Sequence, residues 1–222
     1  MRARRPLDRE MIVTAALRLL NREGIEGLTL RSLAKALHVQ AAALYWHFKD
    51  KQELLDEMAT QVFREGFRDL GMPPKDLPWQ DWCRQSAAAE RKMLLRYREG
   101  AKMFSGTYLT DATMYAPMEA SLQKLTADGF PLAAALNALS TIHCYVVGFT
   151  IEEQAVWPNP GKRDKRYTPE KRAARLDKDK FPLTLKAGEE LFTAPIDRFE
   201  LGLDAILRGL EPLRKTGNRS DG

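Results

Sequence analysis

The 222-residue sequence contains only two cysteines and three histidines, and this scarcity excludes several classes of protein. Cys83 and Cys144 form no Cys-x-x-Cys pair, so neither a disulfide-stapled secreted scaffold nor a cysteine zinc site is expected. The opening residues 1–6 are basic and lead into a polar stretch, unlike the apolar core of a secretion signal. We therefore expect a cytoplasmic protein with two reduced, buried thiols.

A long uninterrupted apolar run is also missing. The most apolar stretch, residues 132–151, includes Asn137, Thr141 and His143. Such polar groups are costly in a bilayer but are compatible with the buried helix of a water-soluble protein. The sequence therefore predicts no contact with a membrane.

Neither sign of charge dominates the chain, which has 35 Lys and Arg against 30 Asp and Glu. The charges are nevertheless unevenly placed, since residues 1–51 hold ten basic and five acidic side chains. Their balance, 10 − 5 = +5, equals the formal net charge of the whole chain. The N-terminal quarter is therefore the basic part of the protein.

The N-terminal third has the three- and four-residue apolar spacing of helices and clear signals for their ends. Thr29 is a good N-cap, and Asp50 with Glu53 forms a capping box, in which Asp50 accepts from the N–H of residue 53 and Glu53 reaches back to Asp50. The predicted helices here are 8–24, 29–37, 41–46 and 50–68.

Helical spacing resumes after a proline-rich linker at 71–78, and no strand alternation appears. Residues 161–180 carry nine basic and four acidic side chains with almost no apolar ones, which predicts a mobile loop. The fold class is therefore all-α, with a basic head at 1–51, a connecting helix at 50–68 and a body at 72–217. The predicted helices of the body are 79–97, 101–104, 111–128, 132–155, 182–192 and 197–210.

Two of the head helices, 29–37 and 41–46, are joined by a short turn, and the second is short. This is helix-turn-helix organisation, in which the second helix enters the major groove of DNA and the first crosses the backbone. The head also carries sequence motifs that extend this interpretation. They are Leu7-Asp-Arg-Glu10, Leu20-Asn-Arg-Glu-Gly-Ile-Glu-Gly-Leu-Thr29, Arg31-Ser-Leu-Ala-Lys-Ala-Leu-His-Val39 and Ala43-Leu-Tyr-Trp-His-Phe-Lys-Asp-Lys51.

With these motifs the chain resembles the tetracycline-repressor (TetR) family of transcriptional regulators. The resemblance is dense over residues 7–58 and weaker through most of the body, where it points to the subgroup of tetracycline repressor itself. It implies a homodimer that binds double-stranded operator DNA and responds to a small-molecule effector.

Several head residues have the chemistry for DNA contact. Tyr45, His47 and Lys51 supply donors suited to phosphate oxygens, and the resemblance implies that these positions hold the backbone. Thr29 and Arg31 lie at a helix N-terminus, where they can meet a phosphate, and Arg31 can also reach a guanine edge. The alternative is that Tyr45 and Trp46 are core aromatics and that Lys51 is a solvated charge.

The predicted recognition helix begins with alanines. Ala41, Ala42 and Ala43 stand where the family's namesake presents polar base readers, and a methyl group can pack on thymine but cannot hydrogen-bond. The alanines could equally serve only as good helix formers. We expect base hydrogen bonding from Gln40 and Arg31, and an operator unlike that of tetracycline repressor.

The C-terminal helix is strongly apolar, with Leu201, Ile206 and Leu210 among its large side chains. A palindromic operator requires two-fold symmetry, so burial of this helix in a homodimer explains both features. In the family, this helix and the long one at 132–155 form the dimer seam. The alternative is that these side chains fill only the core of their own chain.

The resemblance also implies a ligand pocket in the body. Its namesake binds a magnesium–drug chelate through an imidazole at the position of Phe104, which cannot bind a metal, while Glu152 matches a carboxylate of the metal's outer shell or is a solvated acid. We expect an apolar or aromatic effector with no metal and no cofactor, any cationic group being met by Glu90 or Glu152. The pocket residues implied are Phe67, Ser86, Glu90, Phe104, Thr107, Tyr108, His143 and Glu152.

Two rival functions remain at this stage. One is a DNA-binding architectural protein without a ligand. The other is an enzyme using His143, Cys144 and Glu152, although His143 and Cys144 are adjacent and so diverge by about 100° on a helix. The sequence favours a non-enzymatic, ligand-responsive repressor.

Overall fold

The computed structural model describes residues 7–112, 115–158, 162–191 and 195–218. The regular elements of these residues are all helices, with no strand among them, which confirms the all-α class. The remainder, including the basic opening 1–6 and the predicted break at 193–194, lies outside the described residues. The helices are α1 (Arg9–Gly27), α2 (Leu30–Leu37), α3 (Ala41–Tyr45), α4 (Lys51–Leu70), α5 (Trp79–Leu95), α6 (Gly100–Phe104), α7 (Tyr115–Ala127), α8 (Leu132–Val156), α9 (Pro169–Ala173), α10 (Pro182–Leu191), α11 (Pro195–Leu210) and a 3-10 helix (Glu211–Asn218).

The head consists of α1 to α3 packed on the start of α4. Its helices begin where the sequence predicts, because Asp8 accepts a hydrogen bond from the N–H of Met11 and Thr29 accepts one from the N–H of Ser32. At Gly24 the backbone has φ +77°, a left-handed conformation that suits glycine and interrupts α1. The head core consists of fully buried side chains, Ile12, Leu20, Leu28, Leu33, Leu44, Phe48 and Leu54.

The start of α4 only partly follows the predicted capping box. Asp50 accepts from the N–H of Glu53 at 2.9 Å, as expected. Glu53, however, accepts from the N–H of Lys49 at 2.7 Å and does not reach back to Asp50. This hydrogen bond, together with Arg9, holds the pKa of Glu53 below its usual value. A contact between distant residues accounts for this position of Glu53, since Arg9 of α1 binds both Glu53 and the carbonyl of His47.

The body is organised around α8, which packs on α5, α6, α7 and α11. Gln154 near its end is buried, accepts from the N–H of Ala101 at 3.1 Å, and donates to the carbonyls of Leu94 and Tyr97. Glu153 forms a two-pronged ion pair with Arg91, with N–O distances of 2.5 and 2.8 Å. These bonds fix the end of α8 against the α5–α6 turn.

The helix α8, predicted as a buried helix that also forms the dimer seam, has an outward side that its own chain leaves exposed. Ala133, Asn137, Cys144 and Gly148 are exposed there, and only 22% of its most apolar window is buried within the chain. By length and composition this helix could cross a membrane, and its exposed side combines small and polar residues with Leu132 and Leu136. Cys144 therefore lies exposed, contrary to prediction, whereas Cys83 is buried and its burial raises the thiol pKa to about 12.

Part of the predicted loop at 161–180 is helical. Thr168 accepts a hydrogen bond from the N–H of Lys171, and Pro169 stands at the first turn of α9. The guanidinium of Arg163 lies 4.7 Å from the centre of the Trp157 ring. Local capping thus orders a turn within a segment whose charge alone favoured a loop.

The segment before α7 also differs from the predicted helix 111–128. Thr110 donates its N–H to the hydroxyl of Thr60, and Asp111 pairs with Arg64 at 2.6 Å. Because α4 engages residues 110 and 111 in this way, Asp111 lies outside a helix, and α7 is described from Tyr115.

Candidate functional site: a DNA-facing head and a body pocket

The end of α3 presents two aromatic side chains to solvent. Tyr45 is 56% exposed and Trp46 is 89% exposed, so the alternative that they are core aromatics is wrong. An exposed indole and phenol on a basic helix-turn-helix head can contact phosphate and sugar.

The other head residues differ in exposure. Thr29, Arg31, Gln40 and Ala42 are exposed, whereas Ala41, Ala43 and His47 are half-buried. Thr29 uses its hydroxyl to cap α2, where its N–H and hydroxyl both donate to Ser32. Arg31 and Gln40 therefore remain the exposed polar groups beside the short helix.

Lys51 is not the solvated charge of the alternative interpretation. Its half-buried ammonium donates to the carbonyl of Ile25 at 2.6 Å. An ammonium has three N–H donors, so this bond leaves capacity for a phosphate. Lys51 thus joins the start of α4 to the kink of α1.

Ile25 also connects the head to the body. The N–H of Ile25 donates to Glu99 at 2.8 Å, and the N–H of Arg98 donates to Asn21 at 2.8 Å. Glu99 adopts φ +54°, an uncommon conformation for a residue with a side chain. The α5–α6 turn and the kink of α1 therefore form a head–body joint, defined by residues 21–25 and 98–99.

A row of aromatic rings runs from α4 through α6 to α8. Phe63 stacks on Phe67 and on Phe104, each with a centroid separation of 6.4 Å, and Phe104 meets His143 edge-on at 6.3 Å. Phe104 is buried, and Phe63 and Phe67 are half-buried. This ring row, Phe63, Phe67, Phe104 and His143, forms one wall of the candidate pocket.

His143 is held by Glu90. Its Nδ1 lies 2.6 Å from the Glu90 carboxylate, and this hydrogen bond raises the pKa of His143 against the opposing effect of burial. Glu90 therefore already has a hydrogen-bond partner within the chain, and the expectation that it meets a cationic group of the effector stays a prediction.

One turn before Glu90, the hydroxyl of Ser86 is buried and has no hydrogen-bond partner among the described residues. The same holds for the indole N–H of Trp82, a further turn back along α5. Sequence reasoning missed Trp82, although it precedes Ser86 by four residues and Glu90 by eight, which places all three on one side of the helix.

The remaining predicted pocket residues are more scattered. Thr107 donates its hydroxyl to the carbonyl of Phe104, and Tyr108 is 72% exposed while its N–H donates to Asp56 of α4. Glu152 is exposed and, nine residues after His143, projects from the opposite side of α8. The structure therefore brings Glu90, Phe104 and His143 together but separates Glu152 from them within one chain.

This donor set does not fit the magnesium chelate implied by the TetR resemblance. Phe104 offers no ligand atom, and Glu152 lies across α8 from His143. No group of three or more His, Cys, Asp or Glu side chains that could hold a metal occurs in the described part of the chain.

Comparisons with known proteins agree with this architecture. Residues 12–58 match the family model for bacterial regulatory proteins of the tetR family, and residues 72–214 match the tetracyclin repressor-like C-terminal domain. The chain is 36% identical over 211 residues to tetracycline repressor protein class D from Escherichia coli, covering 92% of this chain and 89% of the relative.

Solved structures agree as well. One, described as a possible TetR family transcriptional regulator from Streptomyces coelicolor A3(2), has a TM-score of 0.81 and 32% identity, and the match covers 93% of this chain and 100% of that one. A TetR variant from Acinetobacter baumannii AYE in complex with minocycline has a TM-score of 0.72 and 31% identity, with 95% of this chain and 100% of that chain covered. The chain belongs to the TetR family of homodimeric, ligand-responsive transcriptional regulators, with a helix-turn-helix DNA-binding head and a ligand-binding body.

Proposed function

We propose that this regulator is a cytoplasmic repressor that is released from a palindromic operator by a small aromatic effector bound without magnesium. The observation that carries the proposal is the ring row, because it places an aromatic wall between α4, which leads to the head, and α8, the central helix of the body. Aromatic ligands gain most from offset or edge-on contact with such rings.

The head divides its contacts between reading and holding. Arg31 and Gln40 are exposed and polar, so they read base edges, while Tyr45, His47 and Lys51 hold phosphates and Trp46 packs on the sugar-phosphate edge. Ala41, Ala42 and Ala43 allow close approach to thymine methyl groups. Thr29 supports this surface by fixing the start of α2.

The dimer seam is built from two outward-facing sides. On α8 the exposed side combines small and polar residues, which allow another helix to approach closely, with the exposed leucines Leu132 and Leu136, which can be buried in the seam. On α11, Leu201 is 69% exposed, whereas Leu210 and most of Ile206 pack within their own chain. The seam therefore uses Leu201 and the exposed side of α8. It uses a smaller part of α11 than the apolar sequence of that helix suggested.

Effector binding reaches the head through α4. Tyr108 and Thr110, which follow α6, donate their N–H groups to Asp56 and Thr60 of that helix. A shift of α6 against an effector therefore moves α4 and changes the separation of the two recognition helices. Operator binding requires a spacing of about 34–36 Å, so a small change weakens it.

Two rival functions are less well supported. For an enzyme, Cys144 lies about 100° around α8 from His143, which pairs with Glu90, and Glu152 projects from the side of α8 opposite His143. These three residues therefore form no nucleophile–base pair within the chain. For a ligand-independent architectural protein, the ring row and the buried, unpaired polar groups of α5 would have no role.

The test begins with selection of an operator from a random duplex library, followed by titration of the purified protein with the selected DNA. Specific binding to a palindrome by one dimer supports repression, whereas sequence-independent coating of DNA supports the architectural rival. Addition of tetracycline with magnesium should leave the complex intact, and its release would show that the chelate mechanism survives. A thermal-shift screen with and without EDTA then identifies effectors whose binding is independent of metal.

A further inference from the structure

Helix α5 presents three chemically distinct polar side chains in one row. Trp82, Ser86 and Glu90 are spaced by four residues, so they span a sector of about 80° on one side of the helix. Trp82 is 2% exposed, and the hydroxyl of Ser86 is likewise inaccessible to solvent. Glu90, at the end of the row, pairs with His143 of the ring row.

Two members of this row are buried without a hydrogen-bond partner among the described residues, namely Trp82 through Nε1 and Ser86 through Oγ. Buried donors are almost always satisfied in native proteins, because leaving one unpaired destabilises the fold. The two donors lie one turn apart on α5, and Glu90, which pairs with His143 of the ring row, lies one turn further along. A ligand bound here would supply the hydrogen-bond acceptors that the chain does not.

The chemistry of the row restricts the ligand. An indole N–H can only donate, so the ligand atom opposite Trp82 must be an acceptor. Glu90 lies 2.6 Å from Nδ1 of His143, so part of its hydrogen-bonding capacity is already used within the chain. The ring row, on α4, α6 and α8, favours a flat aromatic body.

We propose that the effector is a planar aromatic compound with hydrogen-bond-acceptor oxygens along one edge, received by the Trp82 N–H and the Ser86 hydroxyl. This inference rests on the proposed function, since it specifies the chemical class of the effector for the same pocket. It makes Trp82 a specificity-determining residue that separates oxygen-bearing aromatics from plain hydrocarbons.

A matched pair of probes tests the inference by calorimetry on the full-length protein. Anthraquinone-2-sulfonate and anthracene-2-sulfonate share their size and charge but differ in two carbonyl oxygens. We expect the wild type to bind the quinone about tenfold more tightly, and Trp82→Phe and Ser86→Ala each to reduce that preference about threefold to tenfold, the equivalent of one hydrogen bond.

Trp79→Phe is the matched control. Trp79 lies on the same helix, but its N–H donates to Glu211 at 3.2 Å, so its removal should leave the probe preference unchanged. Equal affinity of the wild type for the two probes would overturn the inference while leaving an aromatic pocket in place. Binding of neither probe would overturn both the inference and the aromatic effector of the proposed function, and operator binding would still be measured separately.

Thermal unfolding without any ligand provides a second readout. Trp82→Phe removes a buried donor that has no protein partner, whereas Trp79→Phe breaks an existing hydrogen bond. We expect the melting temperature of Trp82→Phe to stay level or rise relative to wild type, and that of Trp79→Phe to fall. An equal fall in both would show that the Trp82 N–H serves the fold and would contradict the proposal.

Discussion

The head and the body place their functional side chains in opposite surroundings. In the head, Arg31, Gln40 and Trp46 stand in solvent, ready for a partner whose shape is given by the double helix. In the body, Phe104 and Trp82 are buried, and the partner must fit between helices. We therefore expect that a head contact can be changed with little effect on folding, whereas a change to a pocket contact also lowers the stability of the fold.

The largest expected effect breaks an interaction inside the body. Arg91→Ala leaves the Glu153 carboxylate buried without its partner, since the two side chains are 14% and 9% exposed. We expect the free energy of unfolding to fall by about 3–5 kcal/mol in urea titrations. Arg84→Ala is the control, because its pair with Asp204 is 45% and 38% exposed and should contribute at most about 1 kcal/mol. Equal losses would remove the distinction between interior and surface.

The next effect belongs to the head and should leave folding unchanged. Arg31→Ala and Gln40→Ala should each weaken operator binding by about 1–3 kcal/mol and relax base preference at particular positions. Tyr45→Ala should weaken binding to all sequences alike, because it removes a backbone contact. Fluorescence anisotropy with the selected operator and single-base variants of it measures these changes.

The salt dependence of the wild type provides the reference for these variants. A dimer making about three or four phosphate contacts per subunit should give a log–log slope of roughly −5 to −7. A slope near zero would contradict the electrostatic role of the head.

Much of the head was predictable because its signals are local. Thr29 caps the helix that follows it, and the recurrence of apolar residues along α1 predicts the buried side. The error at Glu53 arose where a distant residue, Arg9, competes for the same carboxylate.

The body was predictable in its helices but not in its pairings. Glu90 and His143 are 53 positions apart, and no periodicity in either helix indicates that they meet. The lack of a hydrogen-bond partner for the Trp82 N–H is likewise a property of the packed chain. From the sequence, a tryptophan on the apolar side of a helix is predicted only to be part of the core. Long-range packing therefore decides the chemistry of the pocket, and the sequence predicts only which helices carry it.

A smaller effect is expected at the head–body joint, where the two regions meet. Glu99→Ala removes the acceptor of the Ile25 N–H and should lower the free energy of unfolding by about 1–2 kcal/mol. Glu99→Gln keeps a neutral acceptor and should recover part of that loss. Hydrogen exchange should then show faster exchange confined to residues 21–28 in Glu99→Ala. Unchanged protection there would mean that the joint does not couple the regions.

The smallest expected effect is a dependence of stability on pH at the ring row. Glu90 raises the pKa of His143 in the folded state above its ordinary value of 6.5, so the folded protein holds that proton more tightly than the unfolded chain does. The resulting stabilisation is complete below about pH 6.5 and is lost as the pH rises through the folded pKa. Because half of the His143 side chain is exposed, solvent screening keeps the effect small. Unfolding of the wild type and of Glu90→Gln, compared from pH 5.5 to 8.5, isolates it. The stability difference between the two proteins should shrink as the pH rises, and a constant difference would show that the pair contributes packing alone.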